Sequence, residues 1–263
     1  AYGGLVYCLP VLGGLLADRW LGMRKAVVFG GVLLVLGHLG MAVEGEQARK
    51  VGDVVVRDDA ALLVFYGSLA LIIMGVGFLK PNISVIVGKL YAEDDPRRDS
   101  GFSLFYAGIN LGAMLASLVC GVLGETYGWK YGFGAAGIGM LAGLAMFLWG
   151  QKYLHGHAEP KDPVALRTRV GLLSREWWIY LGSLAGVAVV WQLIQRTWTV
   201  HGAMHLVALA FGIWFVWFLV RQCSKAEREQ MIALVITLVG VLVFFTLYEQ
   251  TYGSWLTFTD RLM

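Results

Sequence analysis

Eight long apolar segments divide this sequence, and most are long enough to cross a lipid bilayer as a helix. A spanning helix needs about 20 apolar residues to cross a hydrocarbon layer of about 30 Å. None of the segments alternates with a period of two, which favours helices over a transmembrane barrel. The sequence therefore predicts an all-α membrane protein with spans at residues 1–17, 26–43, 60–90, 101–124, 131–150, 176–195, 203–220 and 231–258.

The composition excludes the main soluble classes. Only 15% of the 263 residues are charged and 58% are hydrophobic, whereas about a quarter of the residues in soluble domains are charged. A net charge of +3 is too small to indicate a nucleic-acid partner. The three cysteines, Cys8, Cys120 and Cys223, show neither a pairing pattern nor the spacing of a metal site. We expect no bound metal and no enzymatic activity, because no nucleophile, base and orienting group recur together.

The basic residues predict the orientation of the spans. If residues 18–25 face the cytoplasm, 14 of the 21 Lys and Arg residues lie on that side and six on the other, while Lys80 lies inside a span. This bias obeys the positive-inside rule. Residues 44–59, which are rich in Asp and Glu, are then an outer loop. Residues 152–175 form a basic connection containing Pro160 and Pro163, and a Trp-rich pair of spans follows it.

Two ionisable residues stand out inside spans, where a charge is costly and suggests a function. Lys80 is followed directly by Pro81, which removes a helical hydrogen bond and predicts a kink. Glu249 lies some 18 residues into the last span, and a buried carboxylate can take up or release a proton as its surroundings change. The alternatives are a lysine that reaches the interface with its long side chain and an acid at the outer boundary.

Tyr7 and Asn110 are further candidates. Tyr7 lies too far inside the first span for a boundary aromatic. Asn110 stands between Gly108 and Gly112, whose spacing allows close helix packing. It could line a pocket or simply link two helices by a hydrogen bond.

Two stretches resemble a known family. Residues 14–25, GLLADRWLGMRK, are similar to a loop motif of the major facilitator superfamily with one additional residue. Residues 77–113 contain GFLKPNIS, VGKLY, DPRRD and GFSLFYAGINLGA, and they closely resemble the signature of the proton-dependent oligopeptide transporter family within that superfamily. Glu249-Gln250, with Asp260-Arg261 beyond them, also resembles the family's helix 7. Tyr252 is bulkier than the residue that the family usually has there.

The resemblance implies a fold: a major facilitator superfamily helical bundle, incomplete, with an inserted two-helix hairpin. In register with the family, the chain is expected to begin partway through helix 2 and to end after helix 7. The implied domains are an N-terminal bundle of helices 2–6 at 1–153, a linker with the inserted hairpin at 154–225, and the first helix of the C-terminal bundle at 226–263.

The resemblance also implies a function: proton-coupled symport of di- and tripeptides across the bacterial inner membrane, by a monomer that needs no cofactor beyond the proton gradient. Its partners would be short peptides, protons and the lipid bilayer. Lys80, Tyr7 and Asn110 would bind the substrate, Glu249 and Lys80 would couple protons, and Asp18, Arg19 and Arg24 would form a conformational gating motif. The alternatives are a carrier of nitrate or another small organic anion and a membrane structural subunit that transports nothing.

Overall fold

The computed structural model describes residues 2–46, 48–51, 53–250 and 259. Within this part of the chain, eight helices are long and apolar enough to span a membrane. The prediction of an all-α membrane protein with eight spans is confirmed. The helices are α1 (Tyr2–Leu16, continued by a π-helical turn at Ala17–Leu21), α2 (Met23–Met41), α3 (Asp59–Lys89), α4 (Arg98–Tyr127), α5 (Trp129–Gly150), a short α6 (Pro163–Arg167), α7 (Arg175–Gln195), α8 (Thr197–Arg221) and α9 (Lys225–Glu249).

The two longest connections contain short structure that the sequence analysis did not predict. In the loop between α2 and α3, β1 (Arg49–Val51) pairs antiparallel with β2 (Val54–Val56). In the linker, a 3-10 turn at Gln151–Leu154 precedes α6, and β3 (Arg169–Val170) then pairs with β4 (Leu173–Ser174). The basic linker is therefore a folded connection that leads directly into α7.

Polar residues start four of the helices, α3, α6, α7 and α9, by accepting a hydrogen bond from a free backbone N–H group of the first turn. The Asp58 carboxylate accepts from the Ala61 N–H at 3.0 Å and begins α3. This hydrogen bond holds the pKa of the Asp58 carboxyl below its usual value. Ser174 begins α7, and Ser224 with Glu227 forms a reciprocal capping box at the start of α9.

The core lies where α2 and α3 pack together. Glycines bring the two backbones close: a Cβ atom on Gly30 would lie 2.7 Å from the carbonyl oxygen of Gly75. Phe29 of α2 packs edge-on against Phe78 of α3, with ring centroids 5.1 Å apart. The Phe29 ring also contacts the ring of Tyr180 of α7, with centroids 4.8 Å apart. The first helix of the predicted hairpin thus packs on the α2–α3 pair.

The chain divides into two units, Ala1–His201 and Gly202–Met263, and each is described by itself. In the first, α3 contacts α1, α2, α4 and α7, and α5 packs against α2 and α4. In the second, the Arg228 guanidinium of α9 donates a 3.0 Å hydrogen bond to the carbonyl oxygen of Leu219 near the end of α8. The predicted domain boundaries near residues 153 and 225 stay predictions.

Candidate substrate-binding and gating residues

The structure brings two of the predicted substrate-binding residues together. The Lys80 ammonium of α3 lies over the ring of Tyr7 of α1, 5.0 Å from its centroid. A cation over an aromatic face is attracted by the negative face of the ring. Both side chains are exposed on the protein surface, Tyr7 to 71%. The pair therefore presents a positive charge and a phenol hydroxyl on the same surface of the α1–α3 pair.

Two glycines let α1 and α3 cross at close range next to this pair, and we call this contact the glycine crossing. A Cβ atom on Gly13 of α1 would overlap the carbonyl oxygen of Gly77 of α3, so the two backbones touch directly. Pro81 has no N–H group to donate to that same carbonyl, which sits four residues before it. The helix α3 nevertheless continues through Pro81 without a break. The crossing lies within two turns of both Tyr7 and Lys80.

Asn110 is not part of this contact. It is exposed on α4, and its side-chain amide donates a 2.9 Å hydrogen bond to the carbonyl oxygen of Tyr106 on its own helix. Within the described part of the chain, no hydrogen bond or ring contact joins Asn110 to Tyr7 or Lys80. Its predicted place in a shared pocket stays a prediction.

Glu249 is the last residue of α9 and is exposed in the second unit. Lys80 belongs to the first unit, and the predicted proton-coupling role of Glu249 and Lys80 stays a prediction. The segment that resembles helix 7 of the family continues beyond Glu249. Its other residues of interest, Tyr252, Asp260 and Arg261, lie outside the described residues.

The three predicted gating residues occupy two different settings. Asp18 and Arg19 are exposed on the π-helical turn that ends α1. The turn is closed by Gly22, which has a positive φ of 78° and donates its N–H group to the carbonyl oxygen of Ala17 at 2.9 Å. A side chain at Gly22 would also collide with the backbone of Pro160, so only glycine suits this position.

Arg24, the third gating residue, is bound to the linker. Its guanidinium forms a fork with the Glu159 carboxylate, in which the Nη2–Oε2 distance is 3.1 Å, and it also donates to the Gln151 side chain at 3.1 Å. The hydrogen bonds from Arg24 lower the pKa of the Glu159 carboxyl. Next to it, the Lys25 ammonium pairs with Glu176 at the start of α7, at 2.6 Å. We call this set of five residues the linker latch.

The sequence analysis assigned a role to only one member of the latch, Arg24, and missed the other four: Lys25, Gln151, Glu159 and Glu176. One signal was available, because Glu159 is one of two acids, with Asp162, in a basic connection. The chain offered no sign of its partner, since Arg24 and Glu159 are 135 residues apart. Within the described residues, no group of three or more His, Cys, Asp or Glu side chains is arranged to hold a metal ion.

Comparison with known proteins identifies the family. The sequence profile of the POT family matches residues 24–263. The chain is 36% identical to the uncharacterized transporter YclF of Bacillus subtilis, across 95% of this chain and 48% of that protein. It is 32% identical to the peptide transporter YePEPT of Yersinia enterocolitica, across 100% of this chain and 52% of that protein.

Solved structures agree in fold. A peptide transporter POT variant in complex with alafosfalin matches with a TM-score of 0.73 and 34% identity, over 98% of this chain and 50% of that one. A POT family transporter in complex with 5-aminolevulinic acid matches with a TM-score of 0.69 and 27% identity, over 95% and 49%. The predicted major facilitator fold is thereby confirmed. The chain spans about half the length of the curated relatives it matches, and it belongs to the POT family of multi-pass membrane transporters.

Proposed function

We propose that this chain is part of a proton-coupled symporter that carries di- and tripeptides across the bacterial cytoplasmic membrane by alternating access. Membership of the POT family supports this function, as does the likeness to proteins named as peptide transporters. The observation that carries the proposal is the Lys80–Tyr7 contact. A short peptide is a zwitterion, and its carboxylate needs a fixed cation within the membrane.

Lys80 meets this need in the proposal. It lies nine residues from Lys89 at the end of α3, which is about 13 Å along the helix axis. A cation at this depth costs a few kcal/mol, and the Tyr7 ring offsets part of this cost. Tyr7 would also offer its hydroxyl to the peptide backbone. Asn110 would contribute a second polar group from α4 once its amide turns away from Tyr106.

Peptide uptake tests the role of Lys80. Protein reconstituted in vesicles should accumulate labelled dialanine when the outside is acidic, and Lys80→Ala should abolish this accumulation. Lys130→Ala is the matched control, because the Lys130 ammonium also lies over a tyrosine ring, that of Tyr131 at 5.1 Å, but outside the proposed site. Uptake by Lys80→Ala at the rate of the unmodified protein would show that the assignment is wrong.

Glu249 is the proposed proton-coupling residue. The Glu249→Gln variant should lose accumulation driven by a pH gradient but retain exchange of labelled for unlabelled peptide, because exchange needs no net proton movement. Loss of both activities would assign Glu249 to peptide binding instead. If Lys80→Met and Glu249→Gln both leave uptake intact but lower the melting temperature, the two residues have a structural role only.

The cargo is tested by competition. One structural neighbour was solved with 5-aminolevulinic acid, a small zwitterion that is not a peptide. Excess dialanine should block labelled uptake, whereas nitrate and other small anions should not. Inhibition by nitrate with no inhibition by dialanine would replace the proposed peptide symport with anion transport. We further propose that the transporter works as a monomer, and light scattering of the purified protein tests this.

For the linker latch we propose a gating role. In alternating access, two bundles rock about a central site, and a linker that holds the start of α2 restrains such rocking. Asp18 and Arg19 remain exposed and available for other contacts, while Arg24 and Lys25 are already bound to the linker and α7.

A further inference from the structure

One cavity of the first unit is lined by neither Lys80 nor Tyr7. It is a crevice of about 680 Å³ among α1, α3 and α7, within the first unit. Apolar side chains form nearly all of its walls, among them Leu9 and Leu16 of α1, Phe78 of α3 and Val190 of α7. Neither Lys80 nor Tyr7 lines it. It is therefore separate from the proposed peptide site.

The crevice runs along most of the length of α7. On α7 its lining runs from Arg175 to Leu193, 18 residues apart, which corresponds to about 27 Å of helix. The hydrocarbon layer of a bilayer is about 30 Å thick. The rim residues Leu12, Trp178 and Val189 are each more than half exposed, so the crevice is open along its side. In a bilayer, an apolar groove of this shape opens to lipid chains.

One end of the crevice is polar and aromatic. Arg175 lies there at the first turn of α7, together with Trp178 and with Trp20 from the π-helical turn after α1. The sequence places this end on the cytoplasmic side, where basic residues accumulate. Tryptophans at such a position belong at the level of the lipid headgroups.

The charge of Arg175 is available to a ligand. Within the described part of the chain, no carboxylate lies within ion-pair distance of its guanidinium, because neighbouring Glu176 is bound to Lys25 at 2.6 Å and to the Tyr180 hydroxyl at 3.2 Å. A guanidinium binds phosphate with two parallel hydrogen bonds. Basic pockets between spanning helices on the cytoplasmic side are typical of sites for anionic lipid headgroups.

We propose that the crevice binds one anionic phospholipid, with the phosphate on Arg175 and an acyl chain lying along α1 and α7. The acyl chain would fill the gap between α1 and α7, above the place where both helices pack against α3. Gly182 and Gly186 keep this face of α7 flat. A Cβ atom at Gly182 would have no protein atom within 4 Å, so this glycine borders open space, whereas a Cβ atom on Gly186 would meet the flexible end of Met74 at 2.9 Å.

Native mass spectrometry of the purified protein tests the headgroup. The protein is titrated in detergent with dioleoyl phosphatidylglycerol and, separately, with dioleoyl phosphatidylcholine, which has the same chains and no net charge. We expect the anionic lipid to bind more tightly, and Arg175→Gln to weaken its binding roughly fivefold, as expected for one basic residue at a membrane surface. Arg169→Gln, in the exposed β3 strand nearby, is the matched control and should change little.

Gly182→Leu tests whether the crevice holds the acyl chain of the lipid. The added side chain should extend into the crevice without displacing protein atoms and should lower the binding of both lipids. Equal binding of the two lipids to the unmodified protein, or equal effects of Arg175→Gln and Arg169→Gln, would overturn the proposal. So would undiminished lipid binding by a Gly182→Leu protein that retains the melting temperature of the unmodified one. Glycerol 3-phosphate should not displace the lipid, and displacement would mean a site for free phosphate esters.

Discussion

The helices α2 and α4 are both apolar enough to span a membrane, but their surroundings are opposite. By hydropathy α4 is the more apolar, yet 50% of the most apolar stretch of α2 is buried inside the protein and only 6% of that of α4. The glycines differ in the same way: Gly30 and Gly37 of α2 touch α3, whereas a Cβ atom added to Gly108, Gly112 or Gly121 of α4 would have no protein atom within 4 Å. Apolarity places a helix in the membrane, and small residues at contact points decide which helices pack.

The largest effect expected from this difference is at Gly30. Gly30→Ala should lower the free energy of unfolding by about 3 kcal/mol, because its Cβ atom would meet the backbone of Gly75 and Leu79 at 2.7 Å. Gly121→Ala in α4 is the control and should leave stability unchanged or slightly raised, because alanine favours helix formation. Thermal unfolding in detergent measures both. Equal melting temperatures for the two variants would mean that the α2–α3 contact contributes nothing.

A matched pair of asparagines gives a smaller effect. Asn82 of α3 and Asn110 of α4 each donate a side-chain hydrogen bond to the carbonyl oxygen four residues earlier, at 2.7 and 2.9 Å. Asn82 is 2% exposed and Asn110 is exposed. Asn82→Ala should cost about 1–2 kcal/mol, because it leaves a cavity and removes a buried hydrogen bond.

Asn110→Ala should leave the melting temperature near that of the unmodified protein, since the hydrogen bond that is lost is exposed and lies within a single helix. According to the proposed function it should still reduce peptide uptake. A fall in stability equal to that of Asn82→Ala would contradict the exposed position of Asn110. Unchanged uptake would remove Asn110 from the proposed peptide site.

The smallest effect concerns the ion pairs at the ends of these helices. Arg24, at the start of α2, pairs with distant Glu159, whereas Asp95, just before α4, pairs with Arg97 two residues away. In both pairs the arginine lowers the pKa of the carboxyl. A carboxyl with a lowered pKa stabilises the fold at neutral pH, and this contribution is lost as the pH falls through the lowered value.

Because this loss begins only below the ordinary glutamate pKa of 4.5, melting temperatures followed from pH 7 down to about pH 3 should fall less for Glu159→Gln than for the unmodified protein. At pH 7, Glu159→Gln should cost less than about 1 kcal/mol, because the pair is partly exposed. Asp95→Asn should cost still less, since its pair closes only a local turn. An unchanged acid dependence in Glu159→Gln would show that the latch does not contribute to stability.

Sequence reasoning was most successful where a property is local. The eight spans follow from runs of apolar residues, and their number is confirmed. The motifs at residues 14–25 and 77–113 pointed to the family, which the comparison confirms. Boundaries were less accurate: the predicted first span ends at residue 17, whereas the helical turns continue to Leu21. The Asp-Arg pair there looked like loop residues, but a π-helical turn accommodates them.

Long-range partners could not be predicted in this way. Lys80 and Glu249 stood out because a charge inside a span is rare. No residue pattern near them in the sequence predicts which side chains they contact in the fold. The contact of Lys80 with Tyr7 depends on the glycine crossing of α1 and α3. The Arg24–Glu159 pair depends on the path of a linker whose hairpin and turns were not predicted.

The sequence by itself determined that the chain enters the membrane, how many times it can cross, and which family it belongs to. These properties depend on the transfer of apolar segments from water and on contiguous motifs. Only the tertiary structure decided that α2 packs on α3 and α4 on α5, that α7 lies against α3, and that Arg24 binds Glu159. Inside a bilayer the lipid chains are as apolar as the spans, so the choice of neighbours depends on shape and on polar contacts between residues far apart in the chain.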